Sequence, residues 1–169
     1  GIQVIKRFID ALIELDRRRG GEVLKRIVQE KTSEAFEVRE FSEPINAKEF
    51  VDVIHGRAIT NKRAVKEIEL LGYSIVDSLK AILELSVEEF PKIYGPTPTR
   101  AVVFTKVSVG RSPMVAIRVT KFKPSLVVYH GLESMTDPIA KKISEVEKIP
   151  IVLTTMPLDE IRERLQDYV

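Results

Sequence analysis

Residues 101–169 read AVVFTKVSVGRSPMVAIRVTKFKPSLVVYHGLESMTDPIAKKISEVEKIPIVLTTMPLDEIRERLQDYV. In this stretch an apolar run, a loop and an amphipathic run follow one another three times. The apolar runs are Ala101–Lys106, Pro124–Tyr129 and Pro150–Thr154. Each is short, rich in β-branched residues and bounded by Gly, Pro or Ser, as buried strands are. Strand–helix alternation of this kind predicts βαβ units with a parallel sheet. The fold class implied is α/β: a three- or four-stranded, mostly parallel sheet with flanking helices, preceded by an N-terminal helical segment. One segment stays open. Met114–Phe122 reads as the helix of the first unit or, from its MVAIRVT string, as a strand.

Ligands of parallel sheets bind outside the carboxyl ends of the strands. The loops expected there are Ser108–Pro113, His130–Asp137 and Thr154–Pro157. In the first, Pro113 suits the first helical position and Ser112 the cap. Gly110 would let a ligand approach the backbone, and Arg111 and Ser108 would add donors to free N–H groups that favour an anion. The same residues also read as an ordinary capped βα loop. In the second loop His130 follows a strand directly, beside Gly131 and Glu133. A histidine there is a ligand-binding residue or a hydrogen-bonded structural one. Glu133 alone is no carboxylate pair, so no acid–base chemistry and no catalytic residue is assigned to it. In the third loop the hydroxyls of Thr154 and Thr155 bind an anion or cap the helix that starts near Pro157.

The 169 residues contain 44% hydrophobic side chains, enough for a core, and no cysteine. Thiol catalysis, thiolate metal sites and disulfides are thereby excluded. With only two histidines, a histidine-rich metal site is not expected either, and no metal or cofactor is called for. Charged residues make up 31%, with 27 basic against 25 acidic, a net charge of +2. That is too little to imply nucleic-acid binding by bulk electrostatics. Lys, Arg and Glu dominate in the manner of thermophile proteins. No run is long enough to span a membrane and no export signal is seen, so a cytoplasmic protein is expected.

Working outward, residues 31–95 read as mostly helical. Residues 47–55 look helical, Thr60 or Asn61 caps a helix through about Leu71, and Gly72 stops it. Ile75, Leu79, Ile82 and Leu83 fall on one face of a further segment. Ser86 and Glu89 form a capping box, and Pro91 ends or kinks the short helix it opens. Phe36, Val38 and Phe41 suggest a short edge strand. Gly95-Pro96-Thr97-Pro98 is the best internal boundary, so residues 96–169 form a βαβαβα core packing with 31–95 as one domain. Residues 1–30 form an N-terminal helical, dimerising or connecting segment. Within it Ile5, Phe8, Leu12 and Leu15 alternate by three and four, as in a helical seam. Arg17–Arg19 and Gly20–Gly21 close that helix, and a second covers Glu22 to about Gln29. The chain opens on Gly1 and enters a helix without a cap, which reads as a truncated N-terminus.

At Pro124–Val169 the sequence resembles the regulatory α/β module called the DRTGG domain, and the similar N-terminal domain of HPr kinase/phosphorylase. The residues that carry the resemblance are a strand ending in Gly131 and Glu133, then Lys148-Ile149-Pro150-Ile151-Val152-Leu153-Thr154 leading to a final helix. The Asp-Arg-Thr-Gly-Gly string itself is absent, and His130-Gly131 stands where it would end. The kinase half with its phosphate-binding loop is absent too. The resemblance implies a non-enzymatic regulatory module of the kind found in prokaryotic transcriptional regulators. The expected function is therefore effector binding, dimerisation, or both, within a larger regulator whose DNA-binding part lies elsewhere. The partners expected are a second copy of the chain and a small anionic metabolite, with no DNA binding by this chain alone and no membrane. The alternatives are a small enzyme acting on a phosphorylated or carboxylated metabolite at the same loops, and a structural interaction module without a ligand.

Overall fold

The computed structural model describes residues 2–18 and 34–169, and the side chains of residues 2–10 and 34–169. The helix expected over Glu22–Gln29 lies outside the described residues, as do Arg19–Gly21 and the side chains of Leu12, Leu15, Arg17 and Arg18.

A single six-stranded sheet organises the chain, in the order β1-β3-β4-β5-β6-β2. Its strands are β1 (Phe36–Asn46), β2 (Arg57–Ala58), β3 (Glu69–Asp77), β4 (Ala101–Thr105), β5 (Leu126–His130) and β6 (Ile151–Thr154). Neighbours from β3 to β6 are parallel. β1 and β2 close the two edges antiparallel. The parallel, βα-built core is thus as read, while the strand number rises from three or four to six. The three apolar runs became β4, β5 and β6, and the Phe36–Phe41 segment became an edge strand.

The helices are α1 (Ile2–Arg18), α2 (Ala47–Val53), α3 (Ser78–Glu84), α4 (Arg111–Val119), α5 (Pro138–Glu147) and α6 (Leu158–Leu165). Because side chains alternate along a strand, the sheet buries two separate cores. Tyr73, Ile75, Val103, Val128 and Val152 pack with Phe50 of α2 and with Ile161 and Leu165 of α6. Val76, Val102, Phe104, Val127, Tyr129 and Ile151 pack with Ala81 of α3, Met114 and Ile117 of α4, and Ala140 of α5. Each fully buried side chain of this size contributes about 1.5–3 kcal/mol. Among the described helices, α3, α4 and α5 pack on one face and α2 and α6 on the other. Among the described residues, that imbalance leaves part of the second face open at the carboxyl ends of β3 and β4.

Several local expectations need correction. Residues 34–95 are not mostly helical, since β1 and β3 together with short helices build them. The helix expected from Thr60 to Leu71 is a turn, a 3₁₀ segment Val65–Glu67 and the start of β3. Thr60 is buried, where its hydroxyl accepts from the Ile151 amide at 2.9 Å. Asn61, at φ +48°, donates to the Ser144 carbonyl at 3.1 Å. These distant partners hold the segment away from helix. Gly72 is no helix stop; a Cβ there would lie 2.4 Å from the Arg39 carbonyl and 3.1 Å from Arg100 Nη1. Ile75 belongs to β3 and Ile82 to α3, so the supposed common face is broken at Asp77. The capping box exists, with the Glu89 amide 3.2 Å from Ser86 Oγ and the Ser86 amide 3.3 Å from Glu89 Oε1. It leads into a 3₁₀ helix, Phe90–Tyr94, that contains Pro91. Met114–Val119 is helix.

α1 lies across α3 and α4. Ile2 and Ile5 line an apolar cleft of about 50 Å³ with Ala81, Leu85, Phe104 and Pro113. Val4 and Phe8 point outward, each 64% exposed. The Ile5–Phe8 seam read from the sequence is therefore divided between the domain and the solvent.

Candidate functional site

The three expected loops do sit at the carboxyl edge, and hydrogen bonds join them pairwise. α4 begins at Arg111, after Gly110 at φ +90°, so Ser112 is not its cap and Pro113 falls within its first turn. The close approach at Gly110 is made by protein: the Tyr129 hydroxyl donates to its carbonyl. A Cβ at Gly110 would lie 2.8 Å from both the Tyr129 ring and Met135. Burial, and the charge of Asp137, push the Tyr129 hydroxyl pKa upward. Arg111 makes a bidentate pair with Asp137, Nε at 3.0 Å and Nη2 at 2.7 Å from Oδ1. Asp137 also caps α5, accepting from the Ala140 amide at 2.9 Å. The Arg111 hydrogen bond holds the Asp137 carboxyl below the usual carboxylate range. An anion at Arg111 would have to displace this capping carboxylate. Ser108 is exposed and Ser112 half-buried.

The second loop is tied to the third. His130 Nε2 lies 2.8 Å from the Met156 carbonyl, and the Gly131 amide donates to the Thr154 carbonyl at 2.9 Å. Thr154 Oγ1 donates to the Ile54 carbonyl at 2.7 Å and accepts from the Met156 amide at 3.1 Å. The Glu133 carbonyl accepts from Arg57 Nη2 at 2.8 Å, while the residue itself is exposed, as is Thr155. Gly131, at φ +89°, has open space where a Cβ would stand.

The open space at this edge lies one strand further along. Among the described residues, a crevice of about 340 Å³ opens beside the ends of β3 and β4, next to α6. Its charged walls are Glu34 and Glu37, Asp77, Lys106 and Arg162, and its apolar wall is Ile75 and Leu158. Asp77 closes β3 and starts α3: its Oδ1 accepts from the Lys80 amide at 3.0 Å. Its Oδ2 lies 2.8 Å from Lys106 Nζ. Lys106 follows β4 in the left-handed region at φ +56°, a conformation uncommon for a side-chain-bearing residue. Across the crevice Arg162 of α6 lies 2.6 Å from Glu37 of β1 and 2.9 Å from Asp159. Burial opposes the Arg162 charge, but Glu37 and Asp159 outweigh it and raise the guanidinium pKa. Sequence reading missed all of these side chains. Only Asp77 left a trace, as an Asp three residues before Lys80 at a helix start. Among the described residues, no three Asp, Glu or His side chains converge as a metal site.

Fold and edge together define a three-layer α/β domain with a polar crevice at the carboxyl ends of its first two parallel strands. The chain is 42% identical over 171 residues to an uncharacterized HTH-type transcriptional regulator of Archaeoglobus fulgidus, covering 98% of this chain and 72% of that protein. It is 38% identical over 173 residues to another such regulator of Methanocaldococcus jannaschii, covering 99% and 71%. It belongs to this family of HTH-type transcriptional regulators. No family model matches the chain. Among solved structures, the CBS and DRTGG region of Clostridium perfringens pyrophosphatase, crystallised with diadenosine tetraphosphate, aligns at a TM-score of 0.47. That alignment is 12% identical and covers 72% of this chain and 46% of the other.

Proposed function

We propose that this chain is the effector-responsive part of its regulator, that it acts without catalysis, and that a separate part of the protein contacts DNA. In this reading the effector enters the carboxyl-edge crevice, and α1 carries the response outward. The observation that supports it is the double duty of Asp77. One of its oxygens faces Lys106 in the crevice and the other caps α3. α3 is in turn one of the two helices on which α1 rests. A ligand that takes over either partner of the Asp77–Lys106 pair changes the capping carboxylate, and with it the seat of α1. The outward face of α1, with Val4 and Phe8, is the surface for a second copy of the chain. A protein that acts on the chromosome works in the cytoplasm, and no helix of the described residues is long and apolar enough to cross a membrane.

Amide hydrogen exchange tests the coupling. In Lys106→Gln, which removes one crevice charge without touching a helix, amides of α3 and α1 should exchange severalfold faster than in wild type, with α5 unchanged. Uniform exchange across α1, α3 and α5 in both proteins would refute the coupling.

A further inference from the structure

The chemistry of the effector is written in the charges of the crevice, an inference that rests on reading this crevice as the effector site. Its four innermost charges form two pairs, Asp77 with Lys106 at 2.8 Å and Glu37 with Arg162 at 2.6 Å. In each pair the cation is the more exposed partner: Lys106 50% against 17% for Asp77, Arg162 41% against 26% for Glu37. Pairs in contact with solvent hold together weakly, so their partners exchange at small cost. Glu34 adds a further carboxylate to the lining.

Three kinds of ligand can be weighed against this set. A simple anion would pull Lys106 and Arg162 from their partners and leave its own charge beside the carboxylates of Glu34, Glu37 and Asp77. A simple cation would have to displace an ammonium and a guanidinium from the carboxylates of Asp77 and Glu37 and add its own charge beside theirs. A molecule bearing one charge of each sign exchanges with the pairs directly. Its cation takes a carboxylate, its anion takes the released Lys106 or Arg162, and no charge is left uncompensated as water is expelled. The rest of the wall is apolar, with Ile75 and Leu158. The space, about 340 Å³, is at the small end of ligand sites.

We infer that the crevice binds a zwitterionic small molecule with an apolar side chain, an α-amino acid by chemical class. Its ammonium is taken by Asp77 or Glu37, its carboxylate by Lys106 or Arg162, and its side chain by Ile75 and Leu158. Because Asp77 also caps α3, the ammonium arrives at the residue through which the crevice reaches α1.

Isothermal titration calorimetry on the whole chain provides the test. The probes are the twenty proteinogenic amino acids, the N-acetyl and amide derivatives of whichever bind, inorganic phosphate and AMP. At least one apolar amino acid should bind, and its N-acetyl and amide forms should bind tenfold or more weakly. Asp77→Asn keeps a capping side chain and Arg162→Gln keeps the stem; circular dichroism verifies that both fold. Each should weaken amino-acid binding at least tenfold. Binding of phosphate or AMP, with no amino acid binding, and with loss in Arg162→Gln, would overturn the zwitterion while leaving the effector crevice standing. Amino-acid binding equal in wild type and both variants would overturn the crevice as well. So would no binding by any probe.

Discussion

At the amino end of the parallel sheet Arg100 is wholly buried, whereas at the carboxyl end Lys106 and Arg162 keep 50% and 41% of their side chains in solvent. Arg100 immediately precedes β4 and is locked by fixed oxygens. Its Nε donates to the Thr97 carbonyl at 2.7 Å, Nη1 to the Tyr73 carbonyl at 3.2 Å, and Nη2 to Glu40. A guanidinium can be buried only when such acceptors replace water. Gly72 leaves the room for it, because a side chain there would meet both Arg39 and Arg100. At the other end the cations face carboxylates, Asp77 for Lys106 and Glu37 and Asp159 for Arg162, which a ligand can take over. A charge bound to backbone oxygens serves the fold; a charge bound to an exchangeable carboxylate at a crevice is free to serve recognition.

The sharpest way to break this contrast is Arg100→Met. Loss of the buried guanidinium strands the Tyr73 and Thr97 carbonyls and should cost about 3 kcal/mol, read by urea unfolding. A loss below about 1 kcal/mol would place Arg100 with the exchangeable charges. Next come two glycines of the carboxyl edge with nearly the same φ. Gly110→Ala should cost about 2 kcal/mol, from left-handed strain together with contact on Tyr129 and Met135. Gly131→Ala meets nothing within 4 Å and should cost about 1 kcal/mol, from strain alone. Equal losses would mean that the Gly110 loop is not packed against Tyr129 and Met135.

The Arg111–Asp137 latch gives a smaller, pH-dependent effect. The Asp137 carboxyl is depressed, so its contribution is present above the unfolded carboxylate value, near pH 4, and is lost as pH falls through its lower folded value. Thermal unfolding of wild type should therefore drop below about pH 4 more steeply than that of Asp137→Asn, which retains a capping side chain. Parallel pH profiles would remove the latch. Least of all should stability change in Phe8→Glu, within about 0.5 kcal/mol for an exposed position. Sedimentation should instead show loss of self-association. Were wild type monomeric, α1 would not be a dimer surface; were Phe8→Glu to remain associated, the contact would lie elsewhere.

Legibility in the sequence depends on the reach of each interaction. β4, β5 and β6 were legible because residues 102–104, 126–129 and 151–153 are all buried between two layers. β3 was not, since Gly72 and the polar Ser74 punctuate it. Both are explained only by distant partners: Ser74 Oγ donates to the Ile93 carbonyl, and Gly72 lies against the Arg39 carbonyl and Arg100. Thr60 and Asn61 suggested a helix cap because their true partner, Ser144, is 83 or more residues away. The crevice was invisible for the same reason: Glu37 and Arg162 are 125 residues apart. The loops that were singled out do lie at the carboxyl edge. Their polar groups are joined mainly to one another.

The claim that the carboxyl-edge charges are held for a ligand is tested most directly by the unfolding free energy of the double variant Lys106→Gln/Arg162→Gln beside that of Arg100→Met. The double variant is expected to stay within about 1 kcal/mol of wild type although it removes three ion pairs, because solvent-exposed pairs contribute little. Arg100→Met is expected to fall well below it. A double variant as unstable as Arg100→Met would contradict the claim, and would make both ends of the sheet parts of the scaffold.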